Sequence, residues 1–134
     1  MKTLMLDTNI FDDLIVDSLL PDIYDALGEY FIFLTTSIQE GELAALSDKR
    51  RRQLMQGIPR NVVPLHSPAN LTQDTNVRHH HDALIAYTAQ EAADVLLTND
   101  QPLAQWCSEI VVSLVVWNYQ EFINWFLSLD QPSK

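Results

Sequence analysis

The strongest constraint on this chain is its alternation of short apolar runs with segments of helical spacing. Thr3-Leu4-Met5-Leu6 is apolar and ends at Asp7, which reads as a buried strand running into a loop. Tyr30 to Leu34 (YFIFL) is aromatic and apolar, a composition that strands favour. Asn61 to Leu65 (NVVPL) reads as a short edge strand, because Pro64 argues against a central one. Asp94 to Thr98 (DVLLT) and Ile110 to Val116 (IVVSLVV) complete the set of expected strands.

The intervening segments read as helices. Asp12 to Leu20 carries Leu14, Ile15, Leu19 and Leu20 at helical spacing. Pro21 breaks it, and Asp22 offers a cap for a second helix through Leu27 that stops at Gly28. Thr35, Thr36 and Ser37 offer N-caps for a helix through about Leu46, and Asp48 for another through Gln56, closed by Gly57 and Pro59. Ser67 to Arg78 has no pattern and reads as a loop. From about His80 the stretch DALIAYTAQEAA is alanine-rich and helical. Pro102 to Ser108 reads as a short helix and Tyr119 to Leu129 as an apolar, aromatic one. Strands alternating with helices imply an α/β fold, a mainly parallel central sheet covered on both faces in three layers, α/β/α. With 134 residues and no repeat or linker, one domain over residues 1–134 is expected.

Composition narrows the function classes. Apolar residues make up 47% and charged residues 19%, a globular balance. Cys107 is the only cysteine, which excludes an intrachain disulfide and suits a reducing, cytoplasmic setting. The start has too short an apolar stretch for a secretory signal, and no run reaches the ~18 residues that span a bilayer. The net charge of −10 argues against a basic protein that coats nucleic acid nonspecifically. It does not exclude a protein whose carboxylates hold cations, because the bound ions reverse the local field. The basic residues cluster: Lys49, Arg50, Arg51 and Arg52 are consecutive, read either as a solvated helix face or as a phosphate contact.

Three acidic residues share one structural address. Asp7 follows the first strand, Asp100 follows the DVLLT strand, and Asp82 opens the helix feeding that strand. In open α/β sheets, sites form beyond the carboxyl ends of the strands. Carboxylates gathered there repel one another unless a cation neutralises them, and hard oxygen ligands suit Mg²⁺ or Mn²⁺ rather than zinc. Each of the three is also read as a helix cap or turn residue, roles compatible with metal binding. Asp12, Asp13 and Asp17 read as a solvated helix face.

These residues resemble a known family. Leu4-Met5-Leu6-Asp7-Thr8-Asn9 is similar to the opening of PIN domains, an apolar strand followed by Asp-Thr-Asn or Asp-Thr-Ser. Asp82-Ala83-Leu84-Ile85-Ala86 resembles their central Asp-Ala-Leu-Ile-Ala helix, and Leu97-Thr98-Asn99-Asp100 their Thr-Asn-Asp. Glu42-Leu43 stands where that family places Glu-Leu. The ordered set spans about Leu4 to Leu103 and is more specific than any one motif. The resemblance implies an acidic pocket of Asp7, Glu42, Asp82 and Asp100 that holds Mg²⁺ or Mn²⁺. Thr8, Asn9 and Thr98 would orient the carboxylates or a water. It further implies a ribonuclease that hydrolyses RNA phosphodiesters and leaves a 5′-phosphate and a 3′-hydroxyl. Single-domain length is similar to VapC-type toxins, which implies an antitoxin partner. A homodimer is expected because the aromatic terminal helix would need cover. Two departures stand out. The further acidic residue that the family often carries after Asp100 is missing, since Gln101, Pro102, Leu103, Ala104 and Gln105 follow. Glu40 competes with Glu42, because two residues apart on a helix only one can face the pocket.

Other readings are weaker. An aspartate-based phosphohydrolase of the haloacid dehalogenase type needs a second Asp where Asn9 stands. The three glycines form no nucleotide cradle. His79, His80 and His81 are consecutive and cannot converge on one ion in a regular helix or strand. Cys107 reads as a buried small hydrophobe. A non-catalytic binding module on the same fold is the alternative function.

Overall fold

The computed structural model describes residues 1–67 and 77–129, with side chains from residue 80 onward in the second segment. In chain order the elements are β1 (Lys2–Leu6), α1 (Thr8–Val16), α2 (Leu20–Ala26), β2 (Phe31–Thr35), α3 (Ser37–Ala44) and α4 (Lys49–Gln56). There follow β3 (Asn61–Val62), α5 (Val77–Ala92), β4 (Val95–Leu97), α6 (Gln101–Ile110), β5 (Val115–Trp117) and α7 (Tyr119–Leu129). The strands form one sheet in the order β3-β2-β1-β4-β5, and every pairing is parallel. The three-layer α/β/α architecture expected from the alternation is therefore present. The sheet edges are short strands, β3 of two residues and β5 of three, which limits unpaired strand edge.

Side-chain alternation along β1 sorts the two cores. Leu4 and Leu6 face the layer of α1, α2, α4 and α7, and pack with Phe11, Phe31, Phe33, Met55 and Phe122. Met5 faces α5 and α6, with Ile85, Ala89, Leu103 and Cys107. This is the period-two rule of a strand buried on both faces. The aromatic stripe of α7 turns inward: Phe31 meets Phe122 and Phe126 edge-on at centroid distances of 5.7 and 6.0 Å. The stripe reads from sequence either as core packing of a terminal helix or as a partner surface, and Phe122 and Phe126 take the first role, covered by β2 of the same chain.

The structure corrects several element bounds. The first helix starts at Thr8 rather than Asp12, because Asp7 caps it, and Asp17 closes it at its C-cap. Leu20 and Pro21 then open α2; a first-turn proline gives up only an N–H that has no partner there. Gly28, at φ +86°, makes the turn into β2. The run Ile110 to Val116 is not one strand. Its start ends α6, Val111 is the C-cap, and only Val115 to Trp117 pair with β4. β-branched composition marked the segment, but the three residues of β4 set the length of its partner. The loop expected over Ser67 to Arg78 lies mostly outside the described residues, and α5 already includes 77 and 78. No helix among the described residues is long and apolar enough to cross a membrane.

Candidate active site

The chain winds outward from β1 through β2 to β3, then returns to build β4 and β5 on the other side of β1. The order therefore reverses between β1 and β4. In doubly wound sheets ligands bind in the crevice beyond the strand ends at that switch point. Leu6 pairs with Leu97, and the Asp7 N–H donates to the Leu97 carbonyl at 2.9 Å. Register alone thus sets Asp7 beside Thr98 and the Thr98-Asn99-Asp100 turn.

Asp7 is 9% exposed. Its carboxylate accepts from the Thr8 N–H at 2.9 Å, from the Thr98 hydroxyl at 2.6 Å and, at a longer 3.4 Å, from the Asn9 amide. The Thr98 hydroxyl in turn accepts from the Asp100 N–H at 3.0 Å, so one buried side chain links both aspartates. Asp100 is half-buried and caps α6, accepting from the Leu103 N–H at 3.1 Å. Burial pushes the Asp7 pKa up. The bonds from Thr98 and Thr8 pull it down, and the charges of Glu42 and Asp100 raise it further. The charges of Glu42 and Asp100 therefore both bear on Asp7 at this crevice.

The two candidate glutamates on α3 have different partners. Glu42 accepts from the Thr8 hydroxyl, at the first residue of α1. Glu40 lies in an ion pair with Arg60, whose Nε and Nη2 reach it at 2.9 and 2.8 Å, and it also accepts from the Thr35 hydroxyl at 2.6 Å. The Arg60 bonds are the largest cause holding the Glu40 pKa below its ordinary value. Arg60 also donates to the carbonyls of Met55 and Ile58 at the end of α4, so this pair ties α3 to α4.

Asp82 does not open its helix. With no glycine or proline before it, α5 already begins at Val77, and Asp82 stands in the second turn, half-buried. Its charge and that of Asp7 both act on Cys107, whose thiol is pushed up to about 11, chiefly by burial. The expectation that Cys107 is an inert buried residue fits that environment. Asp12, Asp13 and Asp17 are not a merely solvated face. Asp12 pairs with Arg51, Asp13 accepts from Asn99 at 2.5 Å, and Asp17 accepts from the Tyr119 hydroxyl at 2.5 Å.

Two positioning residues escaped the sequence reading. Asn99 joins three elements: its N–H donates to Asn9, its amide nitrogen to Asp13, and its amide oxygen accepts from the Tyr119 N–H at 3.0 Å. Gln39 is fully buried, and its amide donates to the Leu6 carbonyl at 3.1 Å, next to Asp7. The Thr36-x-x-Gln39 capping box was the signal available for it.

Among the described residues, no three His, Cys, Asp or Glu side chains converge closely enough to cage an ion. Hydrogen bonds already hold the Asp7 oxygens, and like charges favour a spread arrangement without a cation. The donor chemistry, all hard carboxylate oxygen around a carboxylate that is costly to ionise, suits Mg²⁺ or Mn²⁺.

No protein-family model matches this chain, and none of the curated proteins does. Solved structures do match. VapBC2 from Rickettsia felis, bound to a DNA fragment from its promoter, superposes with a TM-score of 0.55 at 20% identity. The match covers 87% of this chain and 98% of that one. The PIN domain endonuclease Utp24 superposes with a TM-score of 0.56 at 18% identity, over 87% of this chain and 84% of the other. Strand order, all-parallel pairing, the switch-point acidic crevice and these superpositions agree: the chain has the PIN-domain fold.

Proposed function

We propose that this chain is a metal-dependent endoribonuclease that hydrolyses RNA phosphodiester bonds, and that it is the toxin of a toxin–antitoxin pair. The observation carrying the reading is the buried Asp7 carboxylate at the switch point, with the charges of Glu42 and Asp100 acting on it. A fold that gathers mutually repelling carboxylates where ligands bind loses stability unless a cation or reaction uses them.

In this reading Asp7, Glu42, Asp82 and Asp100 hold Mg²⁺ or Mn²⁺. The ion supplies Lewis-acid polarisation of the phosphate and makes water a better nucleophile near neutral pH. The chain's own residues do the positioning. Thr98 fixes Asp7 and the Asp100 backbone together, Thr8 steers Glu42, and Asn9 and Asn99 join α1 to the β4 turn. A shallow polar cleft of about 310 Å³ beside Asp100, between the starts of α6 and α7, offers the substrate a bed. The products would carry a 5′-phosphate and a 3′-hydroxyl.

The toxin role rests on the motif resemblance and on the likeness to VapBC2. It brings an antitoxin partner and a homodimer as further proposals, and a cytoplasmic site of action. The acidic residue missing after Asp100 and the net charge of −10 favour one competing reading, a binding module that has given up metal chemistry.

The deciding experiment incubates the purified chain with mixed RNA and Mg²⁺ or Mn²⁺, beside EDTA and an Asp7→Asn variant. Cleavage abolished by both controls, leaving 5′-phosphate ends, is the expected result. Folded, partner-free protein that neither cuts RNA nor binds Mn²⁺ more tightly than Asp7→Asn would support the binding module instead.

A further inference from the structure

The sheet has two free edges, β3 and β5. The chain blunts the first: β3 is two residues long, and Pro64, which has no N–H to offer a partner, follows just past its end. Nothing of that kind protects β5. Its three residues, Val115, Val116 and Trp117, are apolar on both faces. Residues 110–120 carry no charged side chain, in a chain whose net charge is −10. The run is also poorly covered: Val112 is 75% exposed, Ile110 54% and Val115 49%. Exposed apolar side chains scattered singly need no explanation, but several gathered along one short stretch mark an interaction surface.

Backbone geometry indicates what fits this edge. In a parallel ladder alternate residues turn both N–H and C=O toward the same neighbouring strand. The Trp117 carbonyl accepts from the Thr98 N–H at 2.9 Å, so Trp117 bonds to β4, and Val116 points its N–H and C=O off the sheet. Among the described residues neither group has a backbone partner. In an antiparallel pair, two residues facing each other exchange both bonds. A second Val116 therefore answers the first, about a two-fold axis between them. The same axis sets Val115 opposite Trp117 of the second copy, on the same face, and does so twice. A β-branched side chain against an aromatic one is a favourable cross-strand pair.

Charge selects the same occupant. Two copies at −10 repel over most of their surface and approach most readily where it is uncharged and apolar, as it is here. A basic partner would seek the acidic surface instead of an uncharged strip. We infer that the β5 edge is an interface between two copies of this chain, joined antiparallel about a two-fold axis at Val116. The free edge is short, so it offers one reciprocal pair of backbone hydrogen bonds, and the apolar side chains carry the rest. An interface this narrow belongs to the weak, reversible class. The acidic crevice plays no part in it, so the nuclease reading and this interface stand or fall separately.

The test is sedimentation equilibrium of the full chain at concentrations up to millimolar, with variants at both sheet edges. Wild type should form a reversible dimer with a micromolar Kd. Val115→Glu sets a carboxylate on each side of the axis and should raise that Kd at least about tenfold. Val62→Glu adds the same charge to an exposed position of β3 and should leave it within about twofold. Far-UV circular dichroism and melting at a concentration where every variant is monomeric separate a lost interface from a lost fold. A second variant reads the register without relying on affinity. Hydrogen-bonded antiparallel partners stand about 5.5 Å apart at Cα, within the roughly 4.4–6.8 Å that a disulfide spans. Val116→Cys should therefore cross-link to its own mate under mild oxidation, while Val62→Cys stays monomeric; the native Cys107 is buried and does not compete.

A wild type that stays monomeric at every concentration would leave this edge to a different protein and overturn the choice of a second copy. A dimer that tolerates Val115→Glu, or responds equally to Val62→Glu, would place the contact elsewhere and overturn the surface. Cross-linking of Val116→Cys no faster than that of Val62→Cys would overturn the antiparallel register.

Discussion

Thr98→Val tests whether one hydroxyl organises the acidic crevice. Valine keeps the shape of the side chain, which is 2% exposed, and removes two hydrogen bonds. The Asp7 carboxylate loses a donor at 2.6 Å, and the Asp100 N–H loses its acceptor at 3.0 Å. A bond to a charged group contributes about 1.5–3 kcal/mol, and a stranded N–H costs about 1–3 kcal/mol when buried. Asp100 is only half-buried, so its share lies at the low end, and valine's added apolar contact returns up to about 0.8 kcal/mol. A net loss of about 2–3 kcal/mol at neutral pH follows, roughly a 10 °C fall in Tm. The loss should depend on pH. The Asp7 pKa is raised in the folded state, so the folded chain binds that proton more tightly than the unfolded one. The penalty for its charge is therefore full above the folded pKa, and it disappears as pH falls below the unfolded value. Removing the Thr98 bond pushes that pKa higher still, so the deficit should shrink between about pH 7 and about pH 4. Urea unfolding at both pH values measures this, with Thr98→Ser, which keeps the hydroxyl, as the control. An equal deficit at both pH values, or a Thr98→Ser variant as unstable as Thr98→Val, would refute the reasoning.

The two glutamates of α3 should separate stability from activity. Glu40→Gln strands Arg60, and should cost about 2 kcal/mol at neutral pH by the partly buried pair's geometry. Because the Glu40 pKa is lowered by folding, the stability it contributes is present above the unfolded value and lost as pH falls through the folded one; equal unfolding curves at neutral pH would count against the pair. Glu42→Gln should leave the melting temperature within a few degrees and lower RNA cleavage, whereas full activity would remove Glu42 from the site. Cys107, with its pKa pushed up to about 11 and no exposed surface, should resist thiol reagents at neutral pH until the chain unfolds; rapid labelling of native protein would contradict this. Phe122→Ala should cost about 3–5 kcal/mol by leaving a cavity beneath Phe31 and Phe33, read from chemical denaturation; a loss below about 1 kcal/mol would mean that α7 is not anchored there.

Much of this protein is legible in local pattern. Apolar runs located β1, β2 and α7 within a residue or so, and the capping residues Asp48 and Gly57 alone bounded α4. Asp7 and Asp100 stood out because each follows an apolar strand, a property of adjacent residues. What lay beyond the sequence depends on contacts between distant segments. The strand order that makes β1 and β4 neighbours, and so brings Asp7 to Thr98, follows from helix packing on both faces rather than from any run of residues. The Glu42-Leu43 pair favoured Glu42 over Glu40 in the sequence, but the partner that ties up Glu40, Arg60, stands twenty positions beyond it and appears only in the fold. Val111 and Val115 share a β-branched run, yet one caps a helix and the other pairs with β4. The aromatic stripe of α7 read first as core and second as a partner surface, and β2, by placing Phe31 against Phe122, shows which element of the same chain covers it. Local periodicity records which face of an element is apolar; which other element covers that face is decided only when the whole chain packs.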